Sequence, residues 1–429
     1  MTWLPNSDLI YTEKEGKLYR FDGNKSHEIS GVPEVYLRGQ GGLLDVTVHP
    51  DFKENNRIYI SYASSEGEGS GGNTAIASAL LKNDELIDLK VLYKATPNTK
   101  KGQHFGSRIA FDEKGHIYFS VGDRGNRDQN PQDISRDGGK VYRLNLDGSI
   151  PEDNPFFSSP KAKQAIFSYG HRNPQGMAIN PLTNELWIHE HGPKGGDEIN
   201  IIKKGKNYGW PKITYGINYS GTTITKNKSL PDMEQPLYYW LPSIAPSSFE
   251  YISSDIYPGW KGSLLAGALV FKHIERIGLN NNKVVSRSKI AEDLLVTMGQ
   301  LFGPIPGGLG ISVIFVGALL AATTGIVGAT VIAMGLISLP TMLNNKYDKS
   351  LASGIVCSSG TLGQIIPPSI VLIIIADQLA SAADVANTMR QSDYKIVTGE
   401  FNMPGELRVG STSAGDMFLG ALLPGLVLV

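Results

Sequence analysis

Between Gly170 and Trp210 the chain reads GHRNPQGMAINPLTNELWIHEHGPKGGDEINIIKKGKNYGW, which holds a histidine–arginine pair, a glycine–proline turn, two adjacent carboxylates and a closing tryptophan. Arg172 offers a planar, permanently charged fork for a carboxylate or a quinone-like oxygen, or else a partner for a loop carbonyl. In HGPKGGDEI (191–199) the carbonyls of a Gly-Pro turn lie near Asp197 and Glu198. That set suits a hard, oxygen-seeking ion such as calcium, although acidic residues are common in glycine-rich turns. Three polar clusters precede this stretch: RGQGGLLD (38–45) with Gln40, KGQHFGSRIAF (101–111) with His104, and VGDRGNRDQ (121–129) with Asp123. If His104 and Asp123 flank one hairpin, the carboxylate can hold one imidazole nitrogen and leave the other free as a base. The alternative is a histidine that only caps a loop.

Positioning such groups takes rigid strands, and the first two thirds of the chain supply them. A short apolar strand, a turn built on Asp, Asn, Pro or Gly, and a second apolar or aromatic strand recur as WLPNSDLIYTE (3–13), VHPDFKENNRIYISY (48–62), IAFDEKGHIYFSVGD (109–123), INPLTNELWIHEHG (179–192) and YPGWKGSLLAGAL (257–269). Recurrent units of this kind are what a β-propeller produces, one hairpin per blade; a β-sandwich would use the same hairpins. The 429 residues suffice for two domains or one large β-fold. A formal net charge of −1 leaves no basic stripe for phosphates, so no nucleic acid partner is expected. The single cysteine, Cys357, excludes an intramolecular disulfide framework. The opening MTWLPNSDLIYTEKEG lacks a basic segment followed by an apolar one, which predicts no signal peptide in this chain.

The last third differs. No Asp, Glu, Lys, Arg or His occurs from Val296 to Asn345, and a second uncharged run extends from Ser350 to Ala376. Runs of this kind predict an α-helical, transmembrane-type segment, since ~20 apolar residues of helix cross a bilayer core. Dense Gly, Ala, Ser and Thr fit close helix packing. GTLGQIIPPS reads either as a break lining a site or as a Pro-kinked helix.

GQGGLLDVTVHPDF (39–52), QHFGSRIAF (103–111), GKVYRLNLDGSIPEDNPF (139–156), SYGHRNPQGMA (168–178), EHGPKGGDEIN (190–200) and NYGWP (207–211) occur in order. They resemble the soluble pyrroloquinoline-quinone (PQQ) sugar dehydrogenases, the aldose or glucose/sorbosone dehydrogenase family. The resemblance runs from about Trp3 to about Lys289. It implies a six-bladed, all-β propeller carrying PQQ and calcium, a quinoprotein oxidoreductase that oxidises the anomeric hydroxyl of aldoses to lactones and passes electrons to an acceptor. It implies His104 as general base, Asp123 as its orienting partner and a substrate contact, and Gln40 as a contact to substrate and cofactor. Arg172 and Asn173 become the quinone-oxygen contacts, the carbonyls of Gly192 and Pro193 the calcium ligands, and Asp197 the acidic position beyond that turn. Two departures stand out. The family lysine near residue 270 is Val270 here, with Lys272 two residues on as a partial replacement, and the last blade is expected to be missing. The family works in the periplasm.

From about Asp293 the chain resembles the large permease subunit of the sodium-driven tripartite (TRAP) transporters, of which it would be a fragment. Thr323–Thr324 and Ser359 to Ser369 then fall where such carriers gather oxygens around sodium and substrate. The expected domains are therefore 1–292, an incomplete propeller, and 293–429, a helical piece in the inner membrane that could not transport alone.

Overall fold

The computed structural model describes residues 1–280, 283–289, 302, 305, 307–324, 327–362, 370–413 and 415–421. The chain divides into two compact units, Met1–Ser288 and Lys289–Val429.

In the first unit, each recurrent unit of the sequence falls in its own four-stranded antiparallel sheet; four are hairpins, and the fifth, 257–269, holds a turn and the single strand Leu264–Ala268. There are five such sheets, so the described residues form a five-bladed β-propeller spanning 2–29, 43–94, 109–169, 174–240 and 246–289. Within each blade the strands follow chain order, each pairing with the one before it, across connections that range from tight turns to the long loop between Ile202 and Tyr238. Alternation decides which face packs. In blade 3 the strand His116–Val121 turns Ile117 and Phe119 towards blade 2, where Tyr59 and Ile76 meet them, and Tyr118 towards blade 4, where Met177 and Ile188 lie. Blades 1 and 2 share Ile10, Leu18, Val46 and Ile58, while blades 4 and 5 share Trp187, Trp240, Phe249 and Leu264. Side chains with apolar atoms on both faces thus make each middle blade a spacer between two cores.

Two expectations are corrected here. The family resemblance implies six blades with the last missing; the described residues form five. Beyond the strand Lys283–Lys289 the sequence loses the alternation that pairs strands and becomes uniformly apolar and rich in Gly and Ala, and its described elements are helical. The transmembrane-type segment also fails, because among the described residues no helix is long and apolar enough to cross a membrane. The uncharged run is divided between α1 (Gly308–Thr324, 17 residues) and α2 (Val327–Asn344, 18 residues, with Pro340 inside it). The 29-residue α4 (Ile370–Thr398) begins apolar but then carries Asp377, Asp384, Arg390, Asp393 and Lys395. With α3 (Lys349–Leu362), the first two helices enclose a small core of Val313, Val316, Met334, Met342, Ala352 and Val356. Residues 363–369 of the expected sodium-site stretch lie outside the described residues.

Trp187 is 1 % exposed at the junction of blades 4 and 5. Trp187→Ala should leave a cavity there and cost about 3–5 kcal/mol of stability. Urea unfolding followed by circular dichroism is expected to show the midpoint falling with an unchanged slope; an unchanged midpoint would contradict the shared core.

Candidate functional site

The segment 101–107 belongs to no strand, and its polar groups are held by side chains from three separate stretches of the chain. His104 sits in the left-handed region at φ 58°, which a residue with a Cβ adopts at a cost of about 1–2 kcal/mol. Its backbone N–H donates to Gln40 Oε1 at 2.7 Å, Thr74 Oγ1 donates to the Phe105 carbonyl at 2.6 Å, and Gly106 N–H donates to Asn173 Oδ1 at 3.2 Å. The conformation persists because its surroundings over-determine it.

Asp123 lies at the end of the strand His116–Val121 and is 1 % exposed. His104 Nδ1 and Asp123 Oδ1 are 2.6 Å apart. The same oxygen accepts the Gly125 N–H at 2.7 Å, while Oδ2 accepts the Trp210 indole N–H at 2.9 Å. Burial works to raise the Asp123 carboxyl, but the His104 bond and charge, the charge of Arg172 and the Trp210 bond together hold it below the ordinary carboxylate value. An ionised Asp123 makes Nδ1 the protonated nitrogen of neutral His104 and leaves Nε2 as the acceptor.

His104, Asp123, Arg172, Pro193 and Trp210 line one cleft of about 310 Å³, together with Lys101, Arg127, Asn218 and Tyr219. Arg172 is 7 % exposed; its guanidinium lies over the Trp210 ring, 5.5 Å from the centroid, and donates to the His191 carbonyl at 2.8 Å. Its backbone N–H donates to Glu190 Oε2 at 2.6 Å, so the strand Leu186–Glu190 fixes where the arginine begins. Asn173 is fully buried outside the cleft lining, and its Nδ2 finds no hydrogen-bond partner among the described residues. Gln40 reaches the base through the His104 backbone and does not itself line the cleft.

The Gly-Pro turn is tied from below. Gly192 N–H donates to Asp197 Oδ1 at 2.8 Å, and Asp197 Oδ2 accepts Ser243 Oγ and the N–H groups of Ile244 and Ala245 at 2.6–2.9 Å. With both oxygens spent, Asp197 shapes the turn. A side chain at 192 would place Cβ 2.2 Å from the Gly196 carbonyl, so only glycine fits. Among the described residues no three His, Cys, Asp or Glu side chains cluster for a metal, and a cation here would therefore rest on carbonyl oxygens. Lys272 is placed differently from the strand position its spacing suggested. It lies exposed in the turn between the strands Leu264–Ala268 and His273–Asn280, where alternation does not operate, and it does not line the cleft.

Sequence reasoning missed the Trp210 bond to Asp123, although NYGWP stood out as a motif. It also missed Lys101, Arg127, Asn218 and Tyr219, which carry no distinctive spacing. It placed Glu198 beside a calcium turn; the structure sets it near Glu190, with the Asn200 amide donating to both carboxylates. Burial, and then repulsion from Glu190, pushes the Glu198 carboxyl up to about 8. The folded state then binds a proton that the unfolded chain has released, so this group's contribution falls as pH rises from the ordinary glutamate value to about 8. In chelator-treated protein, Glu198→Gln should flatten the decline in melting temperature across that window; an unchanged profile would show that Glu198 ionises normally.

Residues 1–298 match the Glucose / Sorbosone dehydrogenase family, and residues 282–390 match the DctM component of the tripartite ATP-independent periplasmic transporters. The chain is 42 % identical over 300 residues to the aldose sugar dehydrogenase YliI of Escherichia coli (strain K12), covering 68 % of this chain and 80 % of that protein. It superposes on the PQQ-bound aldose sugar dehydrogenase of Streptomyces coelicolor with a TM-score of 0.56 and 27 % identity, over 67 % of this chain and 79 % of that one. Over 139 residues it is 33 % identical to the C4-dicarboxylate TRAP transporter large permease protein DctM of Rhodobacter capsulatus, 32 % of this chain but 28 % of the permease. Through its propeller, the chain belongs to the Glucose / Sorbosone dehydrogenase family.

Proposed function

We propose that residues 1–292 form a quinoprotein module that oxidises the anomeric hydroxyl of an aldose to the lactone, with PQQ and calcium as its cofactors and a separate electron acceptor. The observation that carries this reading is the 2.6 Å His104–Asp123 contact on the wall of a cleft that also presents Arg172 and Pro193. The donor set suits the cofactor. Arg172, which lines the cleft, is the donor for a quinone oxygen, with Asn173 buried behind it and holding the Gly106 N–H, and the carbonyls of Gly192 and Pro193 are hard oxygens for calcium. Bound there, PQQ supplies the hydride acceptor and calcium the polarising charge. Lys272, exposed in its turn, is not among the residues that line the cleft.

His104 Nε2 takes the proton of the sugar hydroxyl as the C–H bond is broken, so positive charge appears on the imidazole during the step. Asp123, ionised and fixed by Gly125 and Trp210, stabilises that charge and keeps the ring from turning. Gln40 holds the His104 backbone, and so acts through the base. The periplasm is the compartment that goes with this activity. The helical unit stands as a permease-derived segment, for which no transport of its own is proposed.

His104→Ala should lower aldose oxidation by about 10²–10⁴-fold while PQQ still binds, read from quenching of tryptophan fluorescence. Retained oxidation would remove His104 as the base. An absence of PQQ binding at millimolar calcium in the unaltered chain would remove the quinoprotein reading.

A further inference from the structure

Arg124 follows Asp123 directly and is 2 % exposed, yet it has no carboxylate among its hydrogen-bond partners in the described residues. Its guanidinium donates instead to three backbone carbonyls: Gln103, Lys101 at 2.9 Å and Gly72 at 3.1 Å. Two of these belong to the segment that carries His104. The plane lies against the Phe105 ring with the guanidinium carbon 3.4 Å from its centroid, and Nε has no hydrogen-bond partner among the described residues. Arg124 itself stands in the left-handed region at φ 54°. A buried cation bonded only to neutral oxygens is expensive, and here burial lowers the Arg124 pKa to about 10. Such a cost is out of place in a simple core, where an apolar side chain of the same size would serve.

The geometry answers the question. Between Lys101 and Ser107 the chain belongs to no strand, and among the described residues no backbone N–H donates to the carbonyls of 101 and 103. One planar fork satisfies both, while its face packs the next side chain, Phe105. Gln40 and Thr74 fix the same segment from the other side. We infer that Arg124 is the positioning residue for the catalytic base: it clamps the carbonyls of Lys101 and Gln103 and the ring of Phe105, and so holds His104 in its left-handed conformation opposite Asp123. Its neighbour orients the imidazole through the side chain, and Arg124 fixes the backbone from which that imidazole projects. The catalytic consequence rests on the reading of His104 as base; the conformational one does not.

Hydrogen–deuterium exchange of the full chain tests the clamp without any cofactor. In Arg124→Ala the amides of His104, Gly106 and Ser107 should exchange about tenfold faster, while the strands of blades 1, 4 and 5 keep their rates. Arg124→Lys retains the charge but not the fork or the stacked plane; it should show the same local change in smaller measure, and it decides the matter if the alanine variant does not fold. In PQQ-loaded protein, Arg124→Ala should lose turnover about tenfold or more with a nearly constant KM, and ethylguanidinium should restore part of it. Unchanged exchange at 104–107 in both variants overturns the proposal, as does a rise spread evenly over all blades. An unaltered chain that oxidises no aldose removes the quinoprotein reading, and the exchange result still decides whether Arg124 is the clamp.

Discussion

The site depends on the buried carboxylate of Asp123. Its two oxygens take His104, Gly125 and Trp210, and its backbone N–H donates to the Arg172 carbonyl at 2.7 Å. Three stretches far apart in the chain are thereby registered on one residue. Removing a carboxylate of this kind would leave several donors unsatisfied in a place where water cannot replace it, so the arrangement holds as a unit or fails as one.

The propeller makes this possible by separating two tasks. Strands carry the apolar cores between blades, and the polar groups gather where strands end. There the backbone leaves regular structure, with His104, Ser107 and Arg124 all at positive φ. Each such residue carries strain that a strand would not, and the compensation is local: side-chain bonds from Gln40, Thr74, Asn173 and Arg124 replace the missing ladder. The same division explains the Gly192–Asp197 turn, where one carboxylate holds the Gly192 N–H and the backbone leaves no room for a Cβ at Gly192 or Gly196.

Buried charge recurs around the site. Lys140 is fully buried and donates to the carbonyls of Asn130 and Gly138, and Asn130 Nδ2 donates in turn to the Asp123 carbonyl at 3.0 Å. Burial drives the Lys140 pKa down to about 7. Arg124 and Lys140 thus brace the loops on either side of Asp123 with cations that meet carbonyl dipoles instead of anions. Neither cation hydrogen-bonds the Asp123 carboxylate, which bonds His104 and feels the Arg172 charge.

Much of this was legible in the sequence. Alternating apolar residues around Asp, Asn, Pro and Gly turns marked the hairpins, because the period of a half-buried strand and the chemistry of a tight turn are both local properties. Ordered motifs marked His104, Asp123, Arg172 and the Gly-Pro turn. What lay beyond it was long-range. That Trp210 bonds Asp123, or that Arg124 grips the carbonyls of 101 and 103, follows from how blades pack, and no spacing encodes it. Lys272 shows the converse: a two-residue step places side chains on one face only within a strand, and the chain is turning there. The number of blades and the division of the uncharged run into short helices were likewise settled in three dimensions, because apolar content states that a segment will be buried without stating in what shape.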